Sequence, residues 1–77
     1  MPAAPDEDSG IHCRLDELLE QRGMTLTRLS ALVGVSIVNL SVLKNDRARA
    51  IRFSTLAAIC TALDCDVGEL LTTARPR

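Results

Sequence analysis

Lys44, Arg47, Arg49 and Arg52 fall within one run, KNDRARAIR, against a single acid, Asp46, and this is the only positive cluster in the chain. Cations packed this closely suit the neutralisation of a phosphate-bearing surface. The run overlaps the end of VSIVNLSVLKN, where Ser36, Asn39 and Ser41 are polar and Ile37, Val38 and Val42 are branched and apolar. Hydroxyl and amide groups can bond base edges or phosphates, and branched apolar groups can touch a thymine methyl. The other reactive side chains offer less. Cys13, Cys60 and Cys65 with His12 make four possible metal ligands, but they lack paired C-x-x-C spacing, and Cys60 falls on an apolar stripe where a thiol is ordinary core. No metal or other cofactor is expected, and an odd cysteine count argues against a disulfide framework. With one histidine near the N-terminus and no glycine-rich loop after a strand, catalysis has little to stand on, so a non-enzymatic role is expected.

These residues need a scaffold, and 77 residues allow one small domain. The chain is 47% apolar with a single aromatic, Phe53, and is rich in Leu, Ala, Val and Ile, which favours short packed helices over a sandwich of strands. An all-α domain of five short helices is expected. The first ten residues hold Asp6, Glu7 and Asp8 and no base, so residues 11–77 carry nine basic against seven acidic side chains, a net +2 within a chain of net −1. We expect residues 1–10 to be a disordered acidic tail, 11–72 the folded domain and 73–77 a frayed end. There is no apolar run of about 18 residues and no basic-then-apolar leader, so a cytoplasmic protein away from membranes is expected.

Apolar residues at 15, 18 and 19, followed by the Arg22 stem and Gly23, predict a first helix with a glycine stop. Thr25 can cap a second, with Leu29 and Val33 a turn apart before Gly34. Val35 suits a buried turn, and Ser36 can cap a third helix running to about Lys44, ended by Asn45 or Asp46 in the left-handed region. RARAIRF is expected to be an extended connector with Ile51 and Phe53 inward and Arg52 outward. Ser54 is placed as the cap of a fourth helix with a Leu56, Ile59, Cys60, Leu63 stripe, and Asp66 with Glu69 resembles a capping box for a fifth carrying Leu70 and Leu71.

Two short helices joined through Gly34-Val35-Ser36, the second followed by a basic connector, match the helix-turn-helix (HTH) signature. From about Ile11 to Leu71 the chain resembles the phage-repressor, Cro-like (Xre-type) family of DNA-binding domains, through GMTLTRLSALVGVS, LSVLKN and RFSTLAAICTALDCDVGELL. That resemblance implies a lambda-repressor-like fold, double-stranded DNA as partner and a role as a sequence-specific transcriptional regulator. It also implies that the second helix crosses the phosphate backbone while the third enters the major groove, giving Ser36, Ile37, Val38, Asn39, Ser41 and Val42 the base-reading role.

A helical wheel at about 100° per residue is an independent check, putting Leu40, Leu43 and Ser36 on one side and Val38, Ser41 and Val42 on the other, with Ile37 and Asn39 flanking. That outward face either reads DNA or is covered by the first helix or a second copy. Asn39 is the best adenine reader, unless its amide merely satisfies local backbone. Phosphate contacts are expected from Lys44, Arg47, Arg49, Arg52 and Arg28. Where many members of the family carry Gln at the second position of helix two, this chain has Leu26, so the Thr25 or Thr27 hydroxyl is the expected substitute. A homodimer on a two-fold site would raise the affinity of so small a module, with Leu70 and Leu71 either its first surface to consider or an ordinary cap on the monomer core. The competing reading is a protein-interaction module, antitoxin-like or adaptor, that docks a partner on Ile37, Val38 and Val42 with Leu26 or Leu32.

Overall fold

The computed structural model describes residues 10–73, so the expectations for residues 1–9 and 74–77 lie outside the described residues. Helix α1 (Leu15–Arg22) carries Asp16 and Glu17 in its first turn and Arg22 in its last, each sign on the end the helix dipole favours. It stops at Gly23, whose φ of 64° is left-handed, and the Met24 N–H closes the turn on the Leu19 carbonyl at 2.9 Å. Helix α2 (Leu26–Val33) is capped by Thr25, whose hydroxyl accepts from the Arg28 N–H at 3.0 Å. Helix α3 (Ile37–Lys44) is capped by Ser36, which accepts from the Asn39 N–H at 3.1 Å. Of the two residues suited to end α3, Asp46 takes the left-handed conformation, with φ 62°, while Asn45 stays at −94°.

Helix α4 (Phe53–Leu63) starts earlier than its expected cap, with Arg52 at the N-cap position and no side-chain capping bond, so Ser54 is not the cap. This displaces Phe53. Alternation along an extended connector would turn Ile51 and Phe53 to the same side, and Ile51 does pack on the core. The helical period begins at Phe53, however, and the ring in that first turn is 87% exposed. At the other end Asp64 adopts φ 53°, and the Cys65 N–H reaches the Cys60 carbonyl at 3.0 Å. Arg22 then ties α1 to this terminus, its Nε donating to the Leu63 carbonyl at 2.7 Å and its Nη2 to that of Asp64 at 3.1 Å. In α5 (Val67–Leu70) the Asp66 N–H donates to Glu69 Oε1 at 2.8 Å.

Two strands complete the fold. Strand β1 (Ile11–Cys13) pairs antiparallel with β2 (Leu71–Thr73), matching Ile11 to Thr73, His12 to Thr72 and Cys13 to Leu71. Thr73, expected to fray, is therefore paired with Ile11 in this ladder. The Arg14 N–H extends the ladder to the Leu70 carbonyl at 2.7 Å. The five helices and this small sheet enclose a core in which Leu15, Leu29, Leu40, Ile59, Leu63 and Leu70 are fully buried. Each helix contributes at least one of them, so none is dispensable to the packing.

Candidate nucleic-acid interface

The interface is built on the turn between α2 and α3, whose axes differ by 117°, within the range of HTH pairs. Gly34 makes the corner at φ 72°, and a Cβ there would meet nothing within 4 Å, so the demand for glycine is conformational and not steric. Ser30 braces the corner from inside, its hydroxyl donating to the Val35 carbonyl at 2.6 Å. Leu40 and Leu43 then press the inner side of α3 onto the core, which fixes what its outer side presents.

Beyond α3 the chain doubles back, with the Arg47 N–H on the Val42 carbonyl at 2.9 Å. Ala48 and Ile51 pack inward while Arg47, Arg49 and Arg52 remain exposed. Between α3 and this connector runs an open groove of about 700 Å³, lined by Ser36, Asn39 and Val42 on one side and by Arg47, Arg49 and Arg52 on the other. Among the described residues no carboxylate lines it. Three guanidiniums beside polar and apolar side chains in one groove suit a polyanion whose bases are also accessible. Asn39 is exposed, and its side-chain amide makes no hydrogen bond among the described residues, so it is not consumed by local backbone.

The other candidate residues separate from this groove. Ile37 and Val38 are exposed, Val38 to 71%, but do not line it, and Ser41, on the outward side of the wheel, is half-buried. Lys44 leans toward α1, its Nζ 3.9 Å from Asp16 Oδ1. Thr25, Thr27 and Arg28 are exposed on and just before the first turn of α2, with the Thr25 hydroxyl already serving as cap. Leu70 is 0% exposed, so its side chain belongs to the monomer core and cannot face a partner; Leu71, the first residue of β2, is half-buried and packs against that core. Leu32 is exposed, whereas Leu26 packs against the core.

Thr55 and Ala50 also line the groove, and sequence reasoning missed them because neither type advertises a role. It also missed Asp46. The Asp46 carboxylate accepts from the Cys13 N–H through Oδ1 at 2.7 Å and pairs with His12 Nδ1 through Oδ2 at 2.8 Å. Partial burial pushes this carboxyl up, but the Cys13 N–H and His12 together hold it below its ordinary value. Burial raises the Cys13 thiol, and burial with the neighbouring Cys60 pushes the Cys65 thiol up to about 11. Among the described residues no three of His, Cys, Asp and Glu converge as metal ligands.

Comparison with known proteins agrees with this geometry. The profile of the Cro/C1-type HTH DNA-binding domain matches residues 14–74. The uncharacterized HTH-type transcriptional regulator YozG of Bacillus subtilis (strain 168) is 53% identical over 57 residues, spanning 74% of this chain and 68% of that protein.

Proposed function

The chain belongs to the Cro/C1-type HTH family and is a DNA-binding transcriptional regulator, and from that premise we propose that it reads duplex DNA with the groove face of α3. In this reading the N-terminal part of α3 enters the major groove. Asn39 bonds an adenine edge, Ser36 donates to a base or phosphate, and Val42, with Ile37 and Val38 at the margin, contacts thymine methyls. Arg47, Arg49 and Arg52 neutralise phosphates on one flank, with Arg28 and the Thr27 hydroxyl reaching the other. The observation that carries this is the groove itself, which gathers Ser36, Asn39 and Val42 of α3 with the connector arginines and, among the described residues, no acid.

Methyl contacts carry little information, so specificity rests on few polar groups and is modest. Four arginine–phosphate contacts per copy give a slope of log affinity on log salt of about −3.6, a loss of roughly 150-fold between about 50 and 200 mM. Two copies on a two-fold site would double that slope and supply the affinity one small module lacks. Docking of a protein partner is not the favoured reading of the α3 face in a member of this family. Cytoplasmic location follows from the proposed work on DNA.

The test is selection from randomised duplex DNA at about 50 and about 200 mM salt, sequencing what the purified protein retains. An enriched motif, weakened at the higher salt, is the expected result, and its symmetry gives the half-site spacing. Retention at background at low salt, by folded protein, would remove the reading.

A further inference from the structure

The one acid inside the basic run calls for an explanation. A carboxylate beside Arg47 repels the phosphates that Arg47 is there to meet, so on charge alone Asp46 weakens DNA binding. Its position in the fold shows a compensating use. Asp46 stands between the C-cap of α3 and Arg47, in the left-handed conformation, with its own N–H on the Leu43 carbonyl at 3.1 Å and the Arg47 N–H on that of Val42 at 2.9 Å. Its side chain does not line the DNA groove. Both carboxylate oxygens go instead to consecutive residues of β1, Oδ1 to the Cys13 N–H and Oδ2 to His12 Nδ1. Because an ionised carboxylate only accepts, Nδ1 carries the proton in this pair.

That strand is a firm anchor. Cys13 is buried, and β1 is paired along its length with β2. The carboxylate therefore fastens the start of the basic connector to the sheet formed by the two ends of the domain, across more than thirty residues of sequence. We propose that Asp46 is a positioning residue for DNA binding, holding the turn after α3 so that Arg47 is rooted at the phosphate-facing edge of the groove. The inference rests on the reading of Arg47 as a phosphate contact. Preorganisation of this kind strengthens binding by removing an ordering cost, so losing the anchor should cost affinity even though a repulsive charge goes with it.

The two effects of Asp46 have opposite signs, which makes the test decisive. Asp46→Gly keeps the left-handed turn without strain and removes the carboxylate, while Asp46→Asn keeps an acceptor for the Cys13 N–H and loses the charge. Affinity of the full chain for a random-sequence duplex of about 20 base pairs is measured by fluorescence anisotropy across a salt series, because phosphate contacts need no particular sequence. Circular dichroism at the same temperature verifies folding. We expect Asp46→Gly to weaken binding about fivefold and to reduce the salt slope by about 0.9, one phosphate, with Asp46→Asn in between. In an Arg47→Ala background Asp46→Gly should change affinity less than about twofold, since the residue acts through Arg47. Equal or tighter binding by folded Asp46→Gly, with an unchanged slope, overturns the proposal and leaves Asp46 a stability contact only. If that variant does not fold, the same outcomes are read from Asp46→Asn. An Arg47→Ala variant that binds like wild type instead removes the phosphate reading, and the inference with it.

Discussion

Helices α3 and α4 are both rich in branched and apolar residues, yet they dispose of them oppositely. In α4 the stripe Leu56, Ile59, Cys60, Leu63 is buried, and the exposed large apolar group is Phe53 in the first turn. In α3 only Leu40 and Leu43 are buried, while Ile37, Val38 and Val42 face solvent with Asn39. The capping differs in the same sense. Ser36 holds the start of α3 with a side-chain bond, whereas α4 has none and is secured at its far end by Arg22. One helix buries its whole apolar stripe, and the other starts on a side-chain cap and keeps part of its apolar surface exposed. Apolar content alone therefore does not separate a core helix from a reading helix.

The largest test of this contrast lies on the shared core. Ile59→Ala in α4 and Leu40→Ala in α3 should each destabilise the fold by about 3 kcal/mol, measured by urea unfolding, because both side chains are fully buried. Val38→Ala should move stability by less than about 0.5 kcal/mol. A Val38 cost comparable to that of Leu40 would mean that the outer face of α3 is structural, and the contrast would fail. On the DNA side, Asn39→Ala should cost about 1–3 kcal/mol at the selected sequence and relax discrimination at one base pair, with melting temperature nearly unchanged. Equal loss on all sequences would demote Asn39 to a phosphate contact.

The far end of α4 gives a smaller effect. Arg22→Ala removes two charge-assisted bonds, to the last carbonyl of that helix and to that of its C-cap Asp64, and should destabilise by about 1–2 kcal/mol. No change in unfolding midpoint would leave the termination of α4 to Asp64 and Cys65. The smallest effect concerns the thiol beyond its last turn. With the Cys65 thiol pushed up to about 11, the folded state holds its proton more tightly than the unfolded chain does. The contribution to stability is thus complete below the ordinary thiol value of 9.0 and is lost as pH rises through about 11. Alkylation of Cys65 by iodoacetamide at about pH 8 should accordingly be slower than that of an exposed peptide thiol, and a fast rate would show the thiol to be solvated.

Legibility followed the range of the interactions. Gly23 and Gly34 as stops, Thr25 and Ser36 as caps and the stripe of α4 were readable because each depends on residues within about one helical turn. So was the basic run, which is local in sequence. What failed were the points where distant segments meet. Phe53 was expected inside, but the strand-like period of the connector ends where α4 begins. Leu70 suited a partner surface as well as the monomer core from its spacing, and only the packing puts it in the core. The three-residue strands IHC and LTT carry no usable alternation, and their pairing joins the two ends of the domain. Asp46 looked like a mere helix terminator until β1 was found against it.

The sequence by itself determined where helices start and stop, which family the chain resembles and where positive charge collects, since all three follow from residue type and short spacing. The tertiary structure alone decided which apolar residues are hidden and which are offered, because burial depends on what arrives from elsewhere in the chain. It also turned one acid among the arginines away from the groove, through two hydrogen bonds to a strand more than thirty residues distant.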